Sequence, residues 1–221
     1  MSSTIAWPLS ETATSSADLV EPVRRRLAWW VERPKEHARF LNTLSMMEHI
    51  GSRKIMVSQT EGPLGREILK HLAEETRHAF FFKKAAETLA RRTLEYDAAE
   101  TLSPASARMY FGRLDANIAA ELGPDVDVEI PYLYVSLIVE LRAIWTYRLY
   151  QEALAARSGS LSLKSILAEE ELHLTQMLER LQALNAKPER YVAGFAQMED
   201  VLFRKLWAAL ETAADGLPVA A

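Results

Sequence analysis

Two short segments, Glu75-Thr76-Arg77-His78 and Glu170-Glu171-Leu172-His173, each place a histidine three residues after a glutamate. Residues three apart lie on the same face of an α-helix, so the carboxylate and the imidazole of each segment can bind one metal ion together. One such pair is a weak signal in any chain. Two pairs in a chain with only 5 histidines form a pattern that predicts helical metal-binding segments.

Each segment follows an isolated glutamate at a similar distance. Glu48 lies 27 residues before Glu75, and Glu140 lies 30 residues before Glu170. A turn lies between the members of each set, at Glu61–Gly65 in the first and at Ser158–Ser160 in the second. The pattern therefore predicts two antiparallel helical hairpins, each with a glutamate on its first helix and Glu-x-x-His on its second.

Helical apolar spacing, interrupted by proline and glycine, covers most of the chain and predicts an all-α fold. A connection of about 38 residues separates the two hairpins, which is typical of a four-helix bundle with one long crossover. Additional helices are predicted at the N-terminus, in the crossover and at the C-terminus. The predicted helices span 17–31, 34–59, 65–92, 102–121, 131–157, 161–185 and 188–214.

The length of 221 residues suits one domain with a sizeable core. We expect a disordered N-terminal tail over 1–16, because this segment is rich in serine and threonine, and a single helical domain over 17–214 with its bundle core at 34–185. No apolar run is long enough to span a bilayer. The N-terminus lacks the basic start and apolar block of a secretory signal, which predicts a cytoplasmic protein.

Composition limits the partners and the kind of metal site. With 26 basic and 30 acidic residues the net charge is −4, which argues against nucleic acid or anionic lipid as a partner. The absence of cysteine excludes disulfides and thiolate ligands. A metal must then be held by oxygen and nitrogen ligands, which favours Fe, Mn or Zn.

The candidate ligands interrupt apolar stripes of their helices. Leu41 and Leu44 share the face of Glu48, for example, and Leu137 and Ile144 share the face of Glu140. A buried carboxylate without a partner costs several kcal/mol, so these interruptions need a common cause. Four carboxylates and two neutral imidazoles carry a charge of about −4, which two divalent cations neutralise. The predicted metal ligands are Glu48, Glu75, His78, Glu140, Glu170 and His173.

This set resembles that of the ferritin-like di-iron carboxylate proteins, which include ferritins, rubrerythrins and di-iron oxygenases. The resemblance covers about 34–185 and matches the residue type at all six positions. It implies a ferritin-like four-helix bundle in which these residues bind two Fe ions, with Mn or Zn as alternatives. The absence of cysteine excludes a rubredoxin-like iron centre and so argues against a complete rubrerythrin.

Three functions are compatible with this resemblance. The first is an O₂-dependent oxidoreductase that acts on a small organic substrate and takes electrons from an external donor. The second is a ferroxidase or peroxide-handling protein with the same ligands. The third is a non-catalytic helical binding protein. The additional helices favour the first, since a substrate cavity needs a cover. A homodimer is left open.

The sequence also gives expectations for four further residues. Tyr147 lies two turns after Glu140 and is either a catalytic residue facing the metal pocket or a core residue. His71, one turn before Glu75, is a hydrogen-bond donor to a ligand, a third nitrogen ligand or an ordinary histidine. We expect His37 to be exposed near a helix start. Arg142 is expected to be solvated, with pairing to a carboxylate beside the ligands as the alternative.

Overall fold

The computed structural model describes residues 3–58, 65–157 and 161–216. Within these ranges the regular secondary structure is helical and contains no strand, which confirms the all-α class. The predicted turns at 61–65 and 158–160 lie outside the described residues, apart from Gly65. The helices are α1 (Ser3–Ser15), α2 (Val20–Val31), α3 (Pro34–Ser58), α4 (Arg66–Ala90), α5 (Pro104–Leu122), α6 (Glu129–Ala155), α7 (Lys164–Ala183) and α8 (Pro188–Ala214), with a 3₁₀ turn at Ala17–Leu19 before α2.

Proline begins three of these helices, at the predicted start for α3 and α8 and two residues after it for α5. Pro34, Pro104 and Pro188 are the first residues of α3, α5 and α8. This position suits proline because its fixed φ is helical and the first turn needs no donor from it. Helix α6 begins two residues before the predicted Pro131. The N–H of its first residue, Glu129, donates a 2.9 Å hydrogen bond to the Asp127 carboxylate, while the N-cap residue Val128 makes no side-chain cap bond.

The N-terminal segment differs from the expected tail. Residues Ser3–Ser15 form α1, which packs against α6 and α7. Thr12 and Ser16 are buried, and the Ser16 hydroxyl donates a 2.5 Å hydrogen bond to Asp200. Composition alone predicted a disordered tail here. It could not reveal the stabilising contacts, because these come from residues far along the chain.

Internal contacts divide the chain into two compact units, where the sequence predicts one domain over 17–214. The α3–α4 unit comprises Ala28–Met109 and Lys205–Ala221. The α6–α7 unit comprises Met1–Leu27 and Tyr110–Arg204. The boundaries fall inside α2, α5 and α8, so each unit contains parts of these helices.

In the α3–α4 unit the two long helices are antiparallel. The Ser45 hydroxyl donates to the Ala79 carbonyl over 2.6 Å, and further back along α3 the Lys83 amine donates to Asn42 over 3.0 Å. The core of this unit includes a ring cluster around the fully buried Trp30. The Trp30 ring lies 4.6 Å from the Phe40 ring and 5.2 Å from the Trp207 ring, measured between centroids.

A buried side-chain amide on α3 forms hydrogen bonds to the segment 91–103 of this unit. The Asn42 side chain donates to the carbonyls of Glu95, over 2.8 Å, and Glu100, over 2.9 Å. The hydroxyl of the next residue of α3, Thr43, accepts a 2.7 Å hydrogen bond from the Leu102 N–H. The Asn42 and Thr43 side chains therefore satisfy part of the backbone of this loop.

In the α6–α7 unit the two hairpin helices are also antiparallel. Arg180 of α7 pairs with Glu129 at the start of α6 over 2.7 Å, and Gln151 near the end of α6 accepts a 2.6 Å hydrogen bond from the Leu163 N–H before α7. Among the described residues, no helix is both long and apolar enough to cross a membrane.

Candidate metal centre

Three predicted ligands meet in the α3–α4 unit. Ligand atoms of Glu48, Glu75 and His78 all lie within 4.8 Å of one another. The three residues are 9%, 5% and 0% exposed. Glu75 and His78 are one turn apart on α4, and the packing of α3 on α4 brings Glu48 to them. The helical hairpin thus assembles a buried triad from both of its helices.

His71 lies beside Glu75, next to this triad. Its Nε2 lies 3.3 Å from Glu75 Oε1, and the His78 Nδ1 lies 3.9 Å from the same oxygen. One carboxylate oxygen therefore lies within 4 Å of two imidazole nitrogens. The His71 side chain is 15% exposed, so it lies at the edge of the buried region.

In the α6–α7 unit His173 lies beside each of the other two predicted ligands. The His173 Nδ1 lies 3.0 Å from Glu170 Oε2 and 3.9 Å from Glu140 Oε1. Glu140 is 6% exposed, and Glu170 and His173 are each 1% exposed. Glu140 comes from α6 and the other two residues come from α7, so the second hairpin repeats the arrangement of the first.

The ligand atoms of the α3–α4 triad are close enough to bind one metal ion, and in the α6–α7 unit His173 is close enough to share an ion with Glu170 or with Glu140. Two donors bound to one ion at about 2.1 Å lie roughly 3.0–3.4 Å apart at octahedral to tetrahedral angles. The 3.0 Å between His173 and Glu170 falls in that range, and small rotations would bring the 3.9 Å pairs into it. The two carboxylates of a triad carry about −2 with a neutral imidazole, which one divalent cation balances. These buried groups can therefore hold metal.

The exposure of neighbouring glutamates supports the predicted register. Glu171 adjoins Glu170, yet its side chain is 41% exposed and pairs with Arg148 over 2.8 Å. Glu74 adjoins Glu75, is 16% exposed and pairs with Lys70 over 3.2 Å. The inward positions are those with a histidine three residues later.

Tyr147 lies on α6, and its side chain is 4% exposed. It follows Glu140 by two helical turns, so both residues share a face of α6. Burial is compatible with both interpretations, a core residue and a residue of a metal pocket.

The sequence interpretation missed a buried ionic network in the α6–α7 unit. The expectation that Arg142 is solvated is wrong, because it is 5% exposed and donates hydrogen bonds of 2.7–3.0 Å to both oxygens of Glu199. Its guanidinium also donates to Ser16 over 3.0 Å and to Asp200 over 3.3 Å. Burial raises the pKa of Glu199, while Arg142 acts in the opposite direction. Tyr110 donates a 2.7 Å hydrogen bond to Glu199.

One sequence signal could have indicated this network. Arg142 interrupts the apolar sequence of α6 between Leu141 and Ile144, as Glu140 does. A charged residue in such a position needs a buried partner. The partner, Glu199, is 57 residues away on α8, a separation that helical periodicity does not link to Arg142.

His37 also differs from expectation. It lies near the start of α3 but is only 8% exposed. Burial lowers the pKa of His37 from its ordinary value of 6.5 to about 4, because the protonated ring would lose its hydration. The expected exposed histidine is therefore a buried neutral one at physiological pH.

A cavity of about 360 Å³ lies in the α3–α4 unit, between the start of α3 and the end of α4. Its lining includes Arg39 and Leu89. Arg39 precedes Glu48 by nine residues, which is roughly 13 Å along the helix. This cavity is therefore remote from the triad of its unit and does not provide a substrate pocket beside the candidate ligands.

Comparison of the chain with protein families, with curated proteins and with solved structures finds no match in any of the three. The ferritin-like resemblance therefore rests on the six residues and their spacing, and the subfamily stays open.

Proposed function

We propose that this protein is a non-haem dimetal carboxylate protein that binds two iron ions and acts as an O₂-dependent oxidoreductase on a small organic substrate. One observation carries the proposal. Each of two helical hairpins brings a glutamate of its first helix beside a buried Glu-x-x-His pair of its second. The ferritin-like bundle, in which both triads serve one dimetal centre, is part of the proposal and rests on the sequence pattern.

The burial of the carboxylates supports a bound cation. Moving an ionised carboxylate from water into a protein interior costs several kcal/mol, and a nearby cation offsets this cost. Glu170 is 1% exposed and Glu75 is 5% exposed, so both would have to carry this cost or take up a proton in the absence of a cation. A metal ion in each triad explains why four acidic residues occupy interior positions of the hairpins.

The donor set supports iron, with Mn or Zn as competitors. Imidazole nitrogen suits Fe and Zn, carboxylate oxygen suits Mn, and a mixed set accommodates all three. Bound iron in its reduced state would supply the electrons for dioxygen reduction. The glutamates hold the charge of the ions, and the histidines, fixed one turn from a glutamate on a rigid helix, set their position.

Tyr147 is the proposed catalytic residue of the chain itself. Its buried position on the Glu140 face of α6 would let its hydroxyl donate a hydrogen bond towards the metal pocket. The proposed partners are dioxygen or peroxide, a small-molecule substrate and an external electron donor.

Metal analysis and optical spectroscopy test this proposal. Fe(II) added without oxygen should give about two ions per chain, and exposure of the reduced protein to O₂ should produce a transient visible band. If a cage-sized assembly oxidised Fe(II) without forming an oxidised organic product, the ferroxidase alternative would be favoured. Failure to bind Fe, Mn or Zn would leave a non-catalytic helical protein.

Single ligand removal provides the sharper test. Glu75→Ala and Glu170→Ala should each lower occupancy from about two ions to about one, because each variant removes a charged ligand from one triad. Glu74→Ala and Glu171→Ala are matched controls, since these neighbours lie outside the triads and form ion pairs with basic side chains. Circular dichroism checks that each variant is folded. Full occupancy in a folded Glu75→Ala protein would contradict the assignment of that residue.

A further inference from the structure

The cavity of about 360 Å³ in the α3–α4 unit has a lining that is partly apolar and partly basic. Its charged side chains are three cations and one carboxylate, namely Lys35, Arg39, Arg92 and Glu100. Its apolar side chains are Pro34, Ala38, Leu89, Ala90, Leu94 and Ala99. The three cations and one carboxylate leave a formal charge of +2 on a lining that also offers an apolar wall.

The single carboxylate of the lining already has partners. The Arg92 guanidinium pairs with Glu100, and the Glu95 N–H donates a hydrogen bond to the same carboxylate. Both interactions lower the pKa of Glu100, so its charge is present at neutral pH and balances that of Arg92. Lys35 and Arg39, in contrast, form no ion pair within the part of the chain that the structure describes. The uncompensated charge of the lining therefore belongs to these two residues.

The Arg39 side chain is fixed by neutral groups. Its guanidinium donates to the carbonyls of Thr101, over 2.9 Å, and Ala213, over 3.1 Å. The Nε of the same side chain is buried and has no hydrogen-bond partner among the described residues. Burial lowers the pKa of Arg39, while the charge of Glu36 acts in the opposite direction with a smaller effect. An anionic oxygen at Nε would satisfy the donor and balance the charge together.

We propose that this cavity binds a small amphipathic organic anion, whose carboxylate pairs with Lys35 and Arg39 and whose apolar part contacts Leu89 and Leu94. The volume is near the lower end of the roughly 300–1,000 Å³ of ligand pockets, which suits a small molecule. The start of α3 and the end of α4 both border the cavity, and their dipoles oppose each other there. Side chains therefore set its preference for an anion. The site is separate from the candidate ligands, so the inference does not depend on metal binding.

One wall of the cavity is fixed before any ligand binds. Leu94 and Glu100 belong to the segment 91–103, and the Asn42 amide donates to the carbonyls of Glu95 and Glu100 in that segment. A pocket whose wall is already ordered loses little conformational entropy when it takes up a ligand. The cavity therefore meets a physical requirement for binding even a small molecule.

Isothermal titration calorimetry of the full chain with cinnamate and with its uncharged analogue cinnamamide tests the proposal. The two probes have nearly the same shape and differ in charge. Cinnamate should bind at least about tenfold more tightly, because only its carboxylate forms charge-assisted bonds with the lining. Lys35→Gln should lower the affinity for cinnamate at least about fivefold and leave that for cinnamamide unchanged. Lys84→Gln is the matched control, since Lys84 is an exposed lysine of α4 outside the lining.

Three results would overturn the proposal. Equal affinities for the two probes would show that the cavity does not select an anion. An unchanged affinity for cinnamate in Lys35→Gln would exclude Lys35 from the site; this residue is exposed, so the variant should fold, as thermal unfolding can confirm. Ala99→Trp, which narrows the cavity from an exposed loop position, should weaken both probes, and unchanged binding would place them elsewhere.

Inorganic phosphate tests the apolar half of the proposal. Phosphate carries the charge but has no apolar part to contact Leu89 and Leu94, so it should displace cinnamate only in large excess. If phosphate displaced cinnamate at equal concentration, the apolar wall would contribute nothing to binding. The cavity would then be a simple anion site, and the proposed class of ligand would be wrong.

Discussion

The two hairpins carry the same three ligand types, but different kinds of buried polar residues surround them. In the α3–α4 unit the buried polar residues around the hairpin are mainly neutral, including Asn42, Thr43 and Ser45. In the α6–α7 unit a formally charged network is buried instead, with Arg142 two residues after Glu140. The network joins Arg142 to Glu199 over 2.7 Å and connects with Asp200.

This difference shows that the ligand pattern does not determine how a hairpin is held. A neutral amide such as Asn42 satisfies backbone carbonyls at a modest desolvation cost. A buried guanidinium is stable only while its carboxylate partner remains, so the α6–α7 unit depends more on single residues. The two units should therefore respond differently to mutation and to acid.

The largest expected effect is the removal of the buried cation. Arg142→Met should destabilise the protein by about 3–5 kcal/mol, because it leaves the Glu199 carboxylate buried without its counter-charge. Arg148 lies on the same helix as Arg142 but forms an exposed pair with Glu171 of α7. Arg148→Met should therefore cost at most about 1 kcal/mol. Urea unfolding followed by circular dichroism measures both.

Equal losses in the two variants would mean that the buried ion pair of the α6–α7 unit contributes no more to stability than an exposed one. The double variant Arg142→Met with Glu199→Met provides a further check. Because an apolar pair of similar volume often replaces a buried ion pair at little cost, the double variant should be more stable than Arg142→Met alone.

Acid should affect the α3–α4 unit through His37. Its pKa is about 4 in the folded chain, below the ordinary value of 6.5, so the unfolded chain binds a proton more readily. The stability from the neutral ring is complete above pH 6.5 and is lost as the pH falls towards 4. At pH 4.5 this loss is about 2–3 kcal/mol.

His37→Gln removes this titration and should show a smaller loss of stability between pH 7 and pH 4.5 than the wild-type chain. The comparison uses urea unfolding at both pH values, and exposed His49→Gln serves as the control. A wild-type loss no greater than that of His37→Gln would mean that His37 is not the acid-sensitive group.

The parts of the fold that could be predicted depend mostly on short-range sequence features, such as proline at the start of a helix. Pro34, Pro104 and Pro188 mark helix starts by their own geometry, so these boundaries needed no tertiary information. Helix α1 was missed because its burial depends on contacts with distant residues, such as that between Ser16 and Asp200. The start of α6 was predicted at Pro131, whereas the helix begins at Glu129, whose N–H donates to Asp127.

The site divides in the same way. The pairs Glu75–His78 and Glu170–His173 were predictable, because three-residue spacing on a helix fixes their proximity. Glu48 and Glu140 were predictable from the antiparallel hairpins. The partner of Arg142 and the burial of His37 were not, since both depend on packing between segments far apart in sequence.

The smallest expected effect concerns the position one turn after each isolated glutamate. Gly51 follows Glu48 by three residues, and Ala143 follows Glu140 by three, so both hairpins have a small residue there. A Cβ at Gly51 would lie 3.6 Å from Glu75 Oε2, which is an ordinary contact. Gly51→Ala should therefore stabilise the protein by about 0.5–1 kcal/mol, the usual gain in a helix interior.

Gly51→Ala should also leave metal occupancy unchanged, whereas Gly51→Leu should lower the occupancy of the α3–α4 position alone. A leucine extends beyond Cβ into the space of the Glu75 carboxylate, while alanine reproduces the condition that α6 already tolerates at Ala143. Thermal unfolding and metal analysis distinguish the two effects. If Gly51→Ala released metal, the triad would require glycine at this position of α3. The two hairpins would then differ here, because α6 has alanine at the equivalent position.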